Sequence, residues 1–225
     1  FRSNIKVFKD KIFLADQDNT FYVVNRLNGD RIRNIPTEEV TLKNKFINSI
    51  ALNSDSIFFL NTYGSLYSVN MSNSRISWFV NLNKSIDINI GNSFSSQPVV
   101  LYKQNLIISS QSHLYILNSK NGSTILKKSI DSLVKPVVSG DHLFFITKNS
   151  LLICLNSKNS QIEYSVNINN SIAKFLNTKE KSVSIKNLKI VNDKLYLFLN
   201  NSFIVKFDIS GKIENIEKLK FKIQS

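Results

Sequence analysis

Five times along this chain a short apolar run closes on a polar residue, at Asn25, Asn70, Asn118, Asn156 and Asp208. Before each stands a pair of residues two apart: Tyr22 and Val24, Tyr67 and Val69, Tyr115 and Leu117, Ile153 and Leu155, Val205 and Phe207. Side chains two apart lie on one face of a strand. The other face, with Phe21 and Val23, Leu66 and Ser68, Leu114 and Ile116, Leu152 and Cys154, Ile204 and Lys206, is only partly apolar. Sheets covered on both sides give such near-continuous runs, whereas a sheet with one wet face does not. Gly29, Ser74, Gly122 and Ser160 each sit four residues past their anchor, and Gly211 sits three past Asp208. A strand pattern that recurs every ~40–50 residues is the signature of a β-propeller, one blade per repeat.

Each repeat holds three more strands. One precedes the anchored strand, at Ile12–Ala15, Ile57–Leu60, Leu106–Ile108, Leu143–Ile146 and Leu195–Leu199. Before it, across a polar turn, lies another at Ile5–Phe8, Ile50–Leu52, Val99–Tyr102, Val137–Val138 and Leu188–Val191. Outer strands follow the anchors at Arg31–Ile35, Ile76–Leu82, Thr124–Ile130, Ile162–Ile168 and Ile213–Leu219. The expected fold is therefore all-β, a propeller of four-stranded antiparallel blades. Its repeats cover approximately 3–36, 48–83, 97–131, 135–169 and 186–221, in one propeller domain or fragment spanning 1–225. An open arc of such blades would leave faces such as Tyr22/Val24 and Val205/Phe207 exposed.

The chain carries 29 Lys and Arg against 16 Asp and Glu, a formal net charge of +13. That balance suits nucleic acid or an anionic surface when the lysines cluster. Here they are dispersed among Asn, Ile and Ser, as on a solvated surface. Three connections are longer than the turns need: Thr37–Asn48, Asn83–Gln97 with Ser93–Ser96, and Asn169–Asn187. The last is basic. Lys174, Lys179, Lys181 and Lys186 stand there against Glu180, and we take these four lysines as candidate partner-binding residues. Long loops on a rigid scaffold are where binding usually resides. The segment lacks the interleaved aromatics of a single-strand binder, and no nucleic-acid partner is expected.

No catalytic set is visible. His113 and His142 lie in different repeats without metal-ligand spacing, so neither a catalytic nor a metal role is assigned. Cys154 is the single cysteine, which excludes a disulfide within the chain, and its place between core positions reads as a packed thiol. Phosphate-cradling and nucleophile-elbow motifs are missing as well. No cofactor is expected.

Ser56–Trp78 has a frame of apolar strand, turn with Gly64, then Leu66, Tyr67, Val69, Asn70, Ser74 and Trp78. This frame resembles the pyrroloquinoline-quinone-type propeller repeat. The resemblance extends over all five repeats, although Arg33, Leu126 and Tyr164 replace the Trp in the first, third and fourth. Two functional classes share that repeat. The quinone-dependent dehydrogenases need calcium ligands, a catalytic Asp and an aromatic floor for the quinone, and no such constellation can be placed here. The BamB family, outer-membrane protein assembly factors, needs only a propeller with exposed loops. The resemblance therefore implies a non-enzymatic scaffold on the periplasmic side of the bacterial outer membrane. Its partners would be proteins, among them the barrel-assembly machinery, and membrane association would come only through a partner or a lipid anchor. The alternative is a dehydrogenase fragment whose active-site residues lie elsewhere. Relatives of both kinds have eight blades. Phe1 in place of Met and the end at Lys222–Ser225 fit a piece of such a ring.

Overall fold

The structure is a computed structural model that describes residues 2–38, 47–83, 94–110 and 112–220. Each repeat forms one antiparallel sheet with its strands in chain order. The first holds β1 (Lys6–Phe8), β2 (Lys11–Ala15), β3 (Phe21–Asn25) and β4 (Arg31–Ile35). The second holds β5 (Ser49–Leu52), β6 (Ser56–Leu60), β7 (Ser65–Asn70) and β8 (Ile76–Asn81). The third holds β9 (Val100–Tyr102), β10 (Asn105–Ser109), β11 (Leu114–Asn118) and β12 (Thr124–Lys128). The fourth holds β13 (Val137–Ser139), β14 (His142–Ile146), β15 (Leu151–Asn156) and β16 (Ile162–Asn167). A helix, α1 (Ile168–Leu176), leads to the fifth, with β17 (Ile185–Val191), β18 (Lys194–Leu199), β19 (Phe203–Asp208) and β20 (Ile213–Lys218). The contacts divide into two compact units, Phe1–Ser110 with Tyr115–Lys127, and Gln111–Leu114 with Lys128–Ser225.

The anchor residues have a local cause. Asn25, Asn70, Asn118, Asn156 and Asp208 each turn a side-chain oxygen onto the backbone N–H two residues on, at 2.8–3.0 Å. This Asx turn starts the reversal into the outer strand. The anchor's own carbonyl then accepts the N–H of Gly29, Ser74, Gly122, Ser160 or Gly211. All five of those residues have positive φ. The outer strand carries a bulge at the same place in four sheets. Ile32, Ser77, Glu163 and Glu214 are each the extra residue, skipped between two successive pairs of the register. A bulge re-aims the side chain it displaces.

Packing within each unit is face to face. In the first unit Phe13, Phe21 and Val23 of the first sheet meet Ile57, Phe59 and Val69 of the second. The Phe21 and Phe59 rings lie 5.3 Å apart. The second sheet's other face, Phe58, Leu60 and Leu66, meets Leu106, Ile108, Tyr115 and Leu117 of the third. In the second unit Phe144, Ile146, Leu152 and Cys154 meet Leu195, Leu197, Val205 and Phe207. Each such side chain contributes ~1.5–3 kcal/mol when fully buried. Polar stitches hold the inner strands in register. The Asn4 amide bonds both the N–H and the carbonyl of Ile50 on β5, and Val99 N–H donates to Ser49 Oγ.

Aromatic residues on the outer strands reach to the turn of the next sheet. Trp78 lies over Gly122, and its Nε1 donates to Ser119 O at 3.3 Å. Tyr164 lies over Gly211, and its hydroxyl donates to Ile209 O at 2.8 Å. Tyr164 thus does in the fourth sheet what Trp78 does in the second, so that replacement keeps the contact.

Three expectations are corrected. Val205 and Phe207 are fully buried against the fourth sheet rather than exposed, whereas Tyr22 and Val24 are half-buried. Ile168 ends no strand but opens α1, and the connection Asn169–Asn187 is a helix and a short strap rather than a loop. Strand β17 begins at Ile185, earlier than Leu188. In the other long connections residues 39–46 and 84–93, including Ser93, lie outside the described residues, as does Lys222–Ser225.

Gly122 and Gly29 provide a test of the interlock. A Cβ at Gly122 would come within 2.7 Å of the Trp78 ring, while one at Gly29 would meet nothing within 4 Å. Both have positive φ, so both alanine variants carry a backbone cost of ~1–2 kcal/mol. Gly122→Ala adds overpacking of ~1–3 kcal/mol. In urea unfolding followed by the single Trp, Gly122→Ala is expected to lower the midpoint clearly more than Gly29→Ala.

Candidate partner-binding site

The longest irregular excursion among the described residues lies between β16 and β17. The sequence Asn167-Ile168-Asn169-Asn170-Ser171-Ile172-Ala173-Lys174-Phe175-Leu176 forms α1 because its ends are capped and one side is apolar. Asn167 caps the first turn, its side chain accepting from Asn170 N–H. Asn177 ends the helix in the left-handed conformation, with φ 51 and ψ 48. Ile168 and Ala173 are buried, and Ile172 packs on the core of the second unit. Phe175 and Leu176 are left 46% and 49% exposed.

From Lys179 to Ser184 the chain runs without turn or bend into β17. Val183 N–H donates to Asn169 Oδ1 of the helix, and Ser184 O accepts from Asn200 N–H at the β18–β19 turn. The helix, this strap and that turn enclose an open cleft of about 590 Å³. Its apolar lining is Ile172, Ala173, Leu176 and Val183, and Asn169, Asn200 and Asn201 supply amides.

Two of the four predicted lysines meet at this cleft. Lys179 and Lys181 line it. Lys174 is exposed in the last turn of α1, where a cation also suits the helix dipole. Lys186 is half-buried on β17, at a register shift between Ile185 and Asn187, and does not line the cleft. The residues missed were Ile172, Leu176 and Val183. The signal was present: Ile168, Ile172 and Leu176 at fourfold spacing, with Asn just before and just after.

A second polar cluster surrounds Cys154. Its thiol donates to Glu163 Oε2 at 3.5 Å, and the same oxygen lies 3.1 Å from His142 Nε2. Asn156 donates to Oε1 at 3.0 Å. Burial, then the Glu163 carboxylate, push the thiol up to about 12. A thiol so held, and 1% exposed, is a packing group rather than a nucleophile. His142 stands where the fifth sheet has Lys194, and Glu163 where it has Glu214, and there Lys194 and Glu214 form an ion pair. The pairing thus recurs at two of the four bulges, the other two carrying Ile32 and Ser77. Among the described residues no group of three or more His, Cys, Asp and Glu could hold a metal ion, and no helix is long and apolar enough to cross a membrane.

The third cluster is Glu38, which follows β4. Its carboxylate accepts from Ser65 Oγ, from Asn61 Nδ2 at 2.6 Å and from Tyr67 OH at 2.9 Å. Burial would raise its pKa, but the hydrogen bonds from Ser65, its own backbone, Tyr67 and Asn61 outweigh burial and hold it below the usual value. A depressed folded pKa stabilises above the unfolded pKa, and the contribution disappears as pH falls through the folded value. Glu38→Gln is therefore expected to be less stable than wild type at pH 6 and to close that gap progressively below about pH 4.5. Urea unfolding at pH 3–6 measures this. A gap that widens on acidification would contradict the assignment.

Comparison with known proteins places this scaffold. The BamB structure from Moraxella catarrhalis superposes with a TM-score of 0.75 at 11% identity, over 97% of this chain and 64% of that one. The computationally designed Ika8 protein superposes with a TM-score of 0.73 at 9% identity, over 99% and 63%. Quinohemoprotein alcohol dehydrogenase from Comamonas testosteroni does so with a TM-score of 0.70 at 8% identity, over 96% and 42%. At such identities these likenesses show the propeller fold alone, and the chain spans less than two thirds of each of the three. No curated protein sequence matches. The sequence profile described as outer membrane protein assembly factor BamB matches residues 1–165, most of the chain, and by that match the chain belongs to the BamB family.

Proposed function

We propose that this chain is part of a non-catalytic scaffold on the periplasmic side of the outer membrane. It binds protein partners during assembly of outer-membrane β-barrels. The observation that carries this reading is the family match over residues 1–165. The architecture is consistent with it: rigid, two-sided sheets that spend their apolar residues on one another, with a helix and cleft projecting between β16 and β17. A scaffold needs a well-packed frame and exposed surface for contact, and sheets packed face to face with an exposed helix and cleft suit that need. The four-stranded sheets also fit a larger propeller of eight blades, of which these five would be a part.

Purification of the natural protein from detergent-solubilised envelopes tests the proposal. Co-purification of the barrel-assembly machinery, identified by mass spectrometry, is expected. A preparation without protein partners but with a bound chromophore absorbing as a quinone would overturn it in favour of a dehydrogenase.

A further inference from the structure

We propose that the cleft beside α1 binds an extended acidic peptide segment of a protein partner. The peptide would add as a strand along Lys179–Ser184 and seat one apolar side chain between Ile172, Leu176 and Val183. This rests on the partner-binding reading above and adds the mode of binding and the chemistry of the occupant.

Three independent observations converge. The first is backbone. Strand β17 pairs with β18 from Ile185 onward, and the strap before it continues without turn or bend. Along that strap Val183 N–H and Ser184 O are engaged. The backbone groups of Glu180, Lys181 and Ser182 have no hydrogen-bond partner among the described residues, and all three residues are exposed. Such a bare, extended segment at the end of a formed strand is a template for strand addition.

The second is apolar surface. Leu176 is 49% exposed at the cleft, and Ile172 and Val183 are only half-buried there. A peptide strand presents alternate side chains to one side, so a single apolar residue can enter the cleft while its neighbours face outward. The cleft volume of about 590 Å³ lies within the usual range of ligand sites, ~300–1,000 Å³.

The third is charge. Between Ile168 and Val191 there are five lysines, and Glu180 is the one acid. Lys174, Lys179 and Lys181 form no ion pair among the described residues, and all are exposed. Elsewhere in this unit exposed lysines do find carboxylates, as Lys158 does with Asp141 at 2.7 Å. Lysines left without partners around an apolar cleft suit a ligand that brings its own carboxylates. Such charges steer the encounter and set specificity more than they add affinity.

The test uses the purified chain and defined probes. A fluorescent eight-residue peptide with one central Leu among alternating Glu and Thr is expected to bind, and hydrogen exchange of Lys179–Ser184 to slow on binding. Lys179→Glu combined with Lys181→Glu should weaken binding at least tenfold. Ser182→Pro should do the same without changing charge. Lys158→Glu combined with Lys212→Glu, at exposed positions on the β15–β16 and β19–β20 turns, the ends of β15 and β19 opposite to those beside α1 and the cleft, should change it less than twofold. A peptide methylated on alternate backbone nitrogens should not bind. Equal loss in both charge-reversal variants, or full binding of the methylated peptide, would overturn the proposal. So would binding to phosphatidylglycerol vesicles with none to the peptide, which would assign the lysines to a lipid surface. No peptide binding by the unaltered chain, with barrel-assembly partners still recovered from envelopes, overturns this mode and leaves the scaffold function standing. Peptide binding without those partners does the reverse.

Discussion

The structure depends on sheets that are apolar on both faces. A strand such as β15, with Leu152, Ile153, Cys154 and Leu155 all buried, cannot be satisfied by one neighbour. The same holds for β6 and β7, whose Phe59 and Val69 pack on the first sheet while Phe58 and Leu66 pack toward the third. Hydrophobic burial without direction would allow many arrangements. Here direction is supplied by small polar devices: the Asx turn at each anchor, the positive-φ residue behind it, and an aromatic ring laid over the next sheet's glycine. Ring and glycine fit only because the glycine has no side chain. The turn chemistry and the sheet stacking are thus one device seen at two scales.

Much of this was legible in the residues, for a physical reason. A strand that alternates with period two and ends in an Asx turn carries its signal in a few adjacent residues, and five copies make that signal hard to miss. Strand order followed from short turns. What lay beyond reach depended on three dimensions. Which face of β19 is covered is decided by the fourth sheet, so Val205 and Phe207 proved to be buried where exposure was expected. The bulge that turns Glu163 toward His142 and Cys154, and Glu214 toward Lys194, leaves no mark in the hydrophobic pattern. Helix α1 was readable in principle. Ile168 completed the strand pattern of β16 as well as it began the helical one, and the strand reading prevailed.

The site shows the same division. The lysines were visible as composition, but composition could not separate Lys179 and Lys181, which line a cleft, from Lys186, which sits at a register shift on β17. The apolar part of the site comes from a helix and from the strap that the helix forces into place through Asn169. Glu38 is a further case. A carboxylate near a strand end gives no sign in sequence that Ser65, Asn61 and Tyr67 converge on it. The proposed function rests on family membership. The contact chemistry proposed for the cleft draws on this chain's own helix and strap.

Native-state hydrogen exchange, resolved along the chain by mass spectrometry, tests the two-sided packing most directly. Amides of the middle strands β2, β3, β6, β7, β10, β11, β14, β15, β18 and β19 should exchange only through the largest openings. The outer strands β4, β8, β12, β16 and β20, which carry most of the exposed strand residues, should exchange through smaller ones. Equal protection of outer and middle strands, or middle strands that exchange as fast as the turns, would contradict the account.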